Sequence, residues 1–371
     1  MTDTVPLTAV PFLDLAAQQA EIMGSVGPDV LRLLDLGQFV GGDQVTLFED
    51  EYARYSGVQH CVGVGNGTDA LELALRALGI GAGDEVLVPA NSFIASAEAV
   101  VRAGATVRLA DVDDDALLLS ADTVRAAVGP QTLAVLAVHL YGQPAPVEQI
   151  EGVSGGAVVI EDAAQSQGAS RFGRQAGSLA GVAGTSFYPG KNLGAAGDGG
   201  AVLTDDADLA DRVRMTANHG SAHKYVHDVF GFNSRLDAIQ AVVLRAKLAR
   251  LDAWNDARRA AASRYDDLLA DVAEVRRPVI LAGNSSNWHI YAIRVPDRDR
   301  VLAGLLHEGI GAALHYPTPI HLTGAFQSLG YARGDFPVAE KAATELVSLP
   351  MFPHLTGEQQ ERVVAVLKRL V

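Results

Sequence analysis

From about residue 60 the chain alternates short β-branched runs with Ala/Leu-rich stretches of helical period. No other feature restricts the fold as strongly, because strand, helix and strand in succession make a βαβ unit, and a series of them builds a largely parallel sheet covered by helices. Strands are expected at residues 61–64, 85–88, 106–110, 132–139, 158–160, 185–188 and 200–203. Helices are expected between them at 68–78, 92–102 and 120–128. After Asn233 the pattern changes to a helical stretch over about 234–269, with Leu236, Ile239, Val243, Leu244 and Leu248 at helical spacing. A smaller unit follows, mixing strand-like pieces at 289–295 and 311–315 with helices near 301–307 and 358–370. The reading is an α/β chain with a large domain at 1–250 and a smaller C-terminal α+β domain at 251–371, a division its 371 residues accommodate.

Open α/β sheets bind ligands beyond the carboxyl ends of their strands. The segments in that position are Gly65-Asn66-Gly67-Thr68, Asn91-Ser92-Phe93, His139-Leu140-Tyr141-Gly142, Asp162-Ala163-Ala164-Gln165 and Pro189-Gly190-Lys191. A formal net charge of −15 argues against a nucleic-acid or anionic-membrane partner, since polyphosphate binding depends on Lys and Arg. No apolar stretch is long enough to span a bilayer. The single cysteine, Cys61, excludes an internal disulfide, and the first residues show no basic region ahead of an apolar run, so the expected location is cytoplasmic.

The run Val62-Gly63-Val64-Gly65-Asn66-Gly67-Thr68 ends a strand in a Gly-rich turn and opens a helix, which directs backbone N–H groups and a positive helix end at one spot suited to a phosphate. A tight turn with Thr68 as a helix cap explains the same run equally well. Asp162 follows an apolar strand, where a carboxylate needs a partner; a pyridinium nitrogen is one and the N–H groups of the next helix are another. Lys191 lies in the glycine-rich loop Ser186-Phe187-Tyr188-Pro189-Gly190-Lys191-Asn192-Leu193-Gly194. Only 5 of the 29 basic residues are Lys, so where a positive charge alone is wanted this chain uses Arg. Schiff-base chemistry requires an amine that can lose its proton, which guanidinium does not. Phe93 at another strand end is placed to lie flat on a ring, or to be core. Between Arg212 and Arg235 four basic residues and three histidines face one acid, Asp228, a local exception open to an anionic substrate. His219, His223 and His227 are spaced four apart, but Gly220 interrupts the helix and no HExxH pattern is present, so no metal is expected.

Taken in order, Gly67-Thr68, Phe93, Glu161-Asp162-Ala163-Ala164-Gln165, Ser186 to Gly194 and Gly231-Phe232-Asn233-Ser234-Arg235 resemble the DegT/DnrJ/EryC1/StrS sugar aminotransferases. The resemblance runs from Pro11-Phe12-Leu13-Asp14-Leu15 to Leu349-Pro350-Met351. It implies the fold-type I aminotransferase architecture, a homodimer with shared active sites, and pyridoxal 5'-phosphate joined to Lys191 as a Schiff base. By the same resemblance Asp162 faces the pyridinium nitrogen, Gln165 the ring hydroxyl and Phe93 the ring face. Gly67, Thr68 and Ser186 hold the phosphate, with Asn233 reaching in from the second subunit. Gln167 stands where many relatives have His, and Ala196 occupies a variable site. A branch of the family with His in place of the lysine dehydrates the sugar, and Lys191 separates this chain from it.

The implied activity is ping-pong transfer of an amino group from L-glutamate to a nucleotide-linked keto-sugar. The stretches from His139 to Gln143, Asn233 to Asp237 and His315 to Leu322 look most like enzymes acting on dTDP-3-keto-6-deoxyhexoses. Tyr188, His315, Tyr316 and His321 are the candidate substrate contacts. A 4-aminotransferase or cyclitol aminotransferase on the same scaffold, and a cofactor-binding sensor without turnover, are the alternatives.

Overall fold

A computed structural model of the chain describes residues 9–371. The β-branched runs form seven strands: β1 (His60–Val64), β2 (Glu85–Pro89), β3 (Thr106–Ala110), β4 (Thr132–Val138), β5 (Val158–Asp162), β6 (Val182–Ser186) and β7 (Gly200–Thr204). They make one sheet in the order β1-β7-β6-β5-β4-β2-β3. The pairs from β3 to β6 are all parallel, whereas β7 runs antiparallel to both of its neighbours. Six strands therefore share a direction, and their carboxyl ends open on one edge. The sheet is the mostly parallel one that the sequence predicts.

Helices cover both faces because alternate strand residues point to opposite sides. Val86, Val88, Leu136 and Ile160 join the helix residues Leu71, Leu73 and Leu75 in one core, while Leu87, Val135, Ala137 and Val159 belong to another on the opposite face. The helix Gly67–Ala77 lies close on β6 at Gly184, where a Cβ would stand 2.8 Å from a methyl of Leu71. Beyond the sheet, β8 (Tyr291–Arg294) pairs antiparallel with β9 (Leu346–Leu349). Around them the helices Leu251–Leu268, Arg298–His307 and Gly357–Leu370 enclose a separate core that includes Tyr265, Tyr291, Val301, Val347 and Val363. Val10 belongs to this distant core, bridged to Ile310.

Several elements differ from the sequence reading. Helices Leu15–Leu36 and Asp43–Ser56 precede the first strand, the former with Pro28 inside it. The helical stretch after Asn233 is two helices, Ala238–Leu248 and Leu251–Leu268, rather than one. Strand β6 begins three residues before the expected 185 and ends at Ser186, because bulky Phe187 turns out of the strand into the core. The piece expected at 311–315 makes only a bridge from Ala313 to Ser348. Among the described residues no helix is long and apolar enough to cross a membrane, and no group of three or more His, Cys, Asp or Glu is placed to hold a metal.

Candidate active site

A cavity of about 620 Å³ opens at the carboxyl ends of the strands, within the range of roughly 300–1,000 Å³ typical of small-molecule sites. It is lined by residues from each segment singled out in the sequence: Gly67 and Thr68 after β1, Phe93 after β2, Asp162 and Gln165 at and after β5, and Ser186, Tyr188 and Lys191 at and after β6. The segment after β4 contributes Leu140. His315 and Tyr316 close the wall from the C-terminal side, and Phe12 comes in from the N-terminal segment.

Lys191 and Asp162 line this cavity together with Glu98, Arg102 and Asp198. Burial lowers the Lys191 amine to a pKa of about 8, and the negative charge of Asp162 opposes that fall only in part. The Asp162 carboxylate accepts hydrogen bonds from the Ser96 hydroxyl at 2.7 Å and from the Ala164 N–H at 3.2 Å. Neither donor is a cation.

The Gly67–Ala77 helix begins at the cavity, capped by the Asn66 side chain, which accepts from the Asp69 N–H at 2.9 Å. The first N–H groups of a helix have no partner within it, so those of Gly67 and Thr68 are available to an anion. Gly67 is required by close approach: a Cβ there would stand 2.5 Å from the Cβ of Ser186. Ser186 and the helix N-terminus thereby share one corner.

Opposite that corner stand aromatic and imidazole rings. Phe93, 51% exposed, presents its face to the cavity with Tyr316 tilted against it at 5.2 Å between centroids. Gln165 is fixed from two sides, its Oε1 accepting from the Tyr141 N–H at 2.6 Å and its Nε2 donating to the Tyr316 hydroxyl at 3.1 Å. The His315 ring stacks on Phe12 and its Nδ1 meets the Ser348 hydroxyl at 2.9 Å. Burial, reinforced by the Lys191 charge, lowers its pKa to about 4, so the ring is neutral at physiological pH.

Two of the expected residues lie elsewhere. His321 is 2% exposed and packs edge-on against Phe336, with Nε2 at 3.0 Å from Glu340, so its ring is held by packing and does not reach the cavity. Asn233 is exposed, outside its own chain's cavity, and accepts from Arg235 at 3.1 Å.

Other residues of the site escaped the sequence reading. Asn192, next to Lys191, donates to Asn255 at 2.8 Å and to the carbonyl of Asn287 at 3.0 Å, and its carbonyl oxygen meets His289 Nδ1 at 3.0 Å. Asn255 and Asn287 in turn donate to the backbone oxygen of Gln167. The Gln167 side chain reaches Thr185 Oγ1 and the Ser186 carbonyl, both at 2.9 Å. A buried amide network thus clamps the loop bearing Lys191 to the loop bearing Gln165. Apart from Gln167, its members are scattered from 185 to 289 with no local spacing to reveal them.

Residues 23–368 match the model of the DegT/DnrJ/EryC1/StrS aminotransferase family. The chain belongs to this family. It is 45% identical over 361 residues to the erythromycin biosynthesis sensory transduction protein EryC1 of Saccharopolyspora erythraea, covering 97% of this chain and 99% of that one. It is 43% identical over 370 residues to the dTDP-3-amino-3,4,6-trideoxy-alpha-D-glucose transaminase of Streptomyces venezuelae, covering 99% and 98%. The crystal structure of S. venezuelae DesV in complex with a ketimine intermediate superposes with a TM-score of 0.95 at 44% identity, over 97% of this chain and 98% of that one. As a DegT/DnrJ/EryC1/StrS aminotransferase the chain is a pyridoxal-phosphate-dependent enzyme.

Proposed function

We propose that this aminotransferase moves the amino group of L-glutamate onto the C3 carbonyl of a dTDP-linked 3-keto-6-deoxyhexose, giving the 3-amino sugar and 2-oxoglutarate. The observation that carries the reading is the Lys191 amine, lowered to a pKa of about 8 by burial in the same cavity as Asp162. The chemistry of the cavity fits pyridoxal 5'-phosphate: an amine able to be neutral, a buried carboxylate without a cationic hydrogen-bond partner, and a helix N-terminus beside a serine hydroxyl.

When bound, the cofactor supplies an electron sink for the pair left on the donor's α-carbon. Lys191 would hold it covalently and, as a neutral amine, would take the α-proton of the donor; in the second half-reaction it would deliver a proton to the sugar C3. Asp162 would keep the ring nitrogen protonated, Gln165 would hydrogen-bond the ring hydroxyl and Phe93 would support the ring face. The N–H groups of Gly67 and Thr68 and the hydroxyl of Ser186 would bind the phosphate. Tyr188, His315 and Tyr316 are assigned to the sugar. His321 is assigned to packing.

The enzyme is taken to be a cytoplasmic homodimer in which Asn233 of the partner subunit completes each site. The dTDP-sugar is favoured by the name of the S. venezuelae relative. Product analysis with the 3-keto and 4-keto forms of dTDP- and UDP-hexoses tests the reading: a 3-amino dTDP-sugar supports it, and exclusive amination at C4 contradicts it. The sensory name of the S. erythraea relative supports a second reading, a cofactor-binding sensor without turnover. The presence of Asp162, Gln165, Ser186 and Lys191 together disfavours it, because a sensor has no physical need for the lysine amine. L-glutamate added to the loaded protein distinguishes the two, since only an enzyme releases 2-oxoglutarate.

A further inference from the structure

We propose that Ser96, backed by Ser92, is a positioning residue that orients the Asp162 carboxylate to hold the proton on the cofactor ring nitrogen. The inference rests on the assignment of Asp162 to that nitrogen. Ser96 is 1% exposed, and its Oγ lies 2.7 Å from Asp162 Oδ2. The Ser92 Oγ lies 2.7 Å from the Ser96 Oγ. An ionised carboxylate only accepts, so the single hydroxyl proton of Ser96 is committed to Asp162, and Ser92 must donate to Ser96. The result is a directed chain of two hydroxyls ending on the carboxylate, in which each bond polarises the next.

Geometry ties this chain to the ring platform. Ser92, Phe93 and Ser96 all line the cavity, and the Ser96 N–H donates to the Phe93 carbonyl at 3.2 Å. The turn that presents the Phe93 ring thus also aims the Ser96 hydroxyl. Asp162 Oδ1 accepts only from the backbone of Ala164, at a longer 3.2 Å, so Ser96 is the one side-chain donor to this carboxylate among the described residues. A donor to the carboxylate stabilises its charge and leaves the shared proton on the ring; without the donor the carboxyl becomes more basic and draws that proton to itself.

The test uses the holoenzyme loaded with cofactor labelled with nitrogen-15 in the ring, whose resonance reports the protonation of that nitrogen. Ser96→Ala is expected to move the resonance toward the unprotonated position and to lower kcat roughly ten- to a hundredfold, the worth of a hydrogen bond to a charged group, with KM for L-glutamate within about twofold. Ser92→Ala, which leaves the Ser96–Asp162 bond in place, is expected to shift it the same way by less. A wild-type resonance in Ser96→Ala overturns the proposal, because a merely structural serine would not touch it. Asp162→Asn separates the two levels. If it too leaves the resonance unmoved, the assignment of Asp162 itself fails; if it moves the resonance while Ser96→Ala does not, only the role of Ser96 falls.

Discussion

The Lys191 amine takes its character from a loop that buries it without giving it a hydrogen-bonding carboxylate of its own. Its depression from 10.5 to about 8 sets the sign of a pH effect. Below pH 8 the amine is mostly protonated and unreactive, and the neutral fraction rises through that value. Covalent capture of pyridoxal 5'-phosphate by the apoenzyme, followed by absorbance, is expected to accelerate with pH and level off above about 8; acceleration continuing to about 10.5 would mark an unperturbed lysine. Gly67 gives a second prediction at this scale. Gly67→Ala places a Cβ 2.5 Å from that of Ser186 and forces the phosphate corner apart, so the cofactor dissociation constant is expected to rise roughly ten- to a hundredfold in equilibrium titration. Lys191 and Asp162 were legible in the sequence because each follows a strand-like run and bears a group with specific chemistry. Asn192, Asn255 and Asn287 were not, since an amide looks alike in a loop and in a buried network. His321 read as a contact from its neighbours His315 and Tyr316, yet the turn after Pro319 directs it to Phe336 and Glu340.

Among the elements, the strands whose runs are rich in Val, Leu and Ile were legible to within two residues at either end, because a strand buried on both faces leaves a continuous apolar signature. Strand β6 was displaced because Val182-Ala183-Gly184-Thr185-Ser186 is made of small residues, Gly184 among them to admit Leu71, while the bulkier Phe187 and Tyr188 beyond it imitate a strand. Helix Leu15–Leu36 was hidden by Gly24, Gly27 and Pro28, residues that normally mark its absence. The ends of β4 and β5 are joined by a buried pair, His139 Nε2 and Glu161 Oε2 at 2.7 Å. Glu161 also accepts from the N–H groups of Gly177 and Ala180, and His139 Nδ1 accepts from that of Ala145, so one carboxylate organises two loops. Glu161→Ala leaves these donors unpaired in the core and is expected to destabilise the apoprotein by about 3–5 kcal/mol in denaturant titration. A loss under 1 kcal/mol would show that water enters to replace it.

At the scale of the molecule, the Phe12 ring stacks on His315 while its carbonyl accepts from the Met351 N–H at 3.3 Å, so the N-terminal segment is tied to the C-terminal part of the chain beside one wall of the cavity. Nothing local in the sequence announces that return; it follows from Val10 pairing beside Ile310. The proposed sharing of sites in a homodimer predicts complementation. Lys191→Ala and Asn233→Ala subunits, each impaired alone, form a mixed dimer in which one of two sites is intact, so a random mixture is expected to recover roughly a quarter of full activity. Recovery no greater than the sum of the separate variants would place Asn233 outside its partner's site. The central claim, amino transfer through Lys191, is met most directly by borohydride reduction of the loaded enzyme followed by peptide mapping. The account predicts that the pyridoxyl label is on Lys191 alone, and that Lys191→Ala gives neither label nor turnover with L-glutamate. A label on another lysine, or turnover by Lys191→Ala at the wild-type rate, would contradict it.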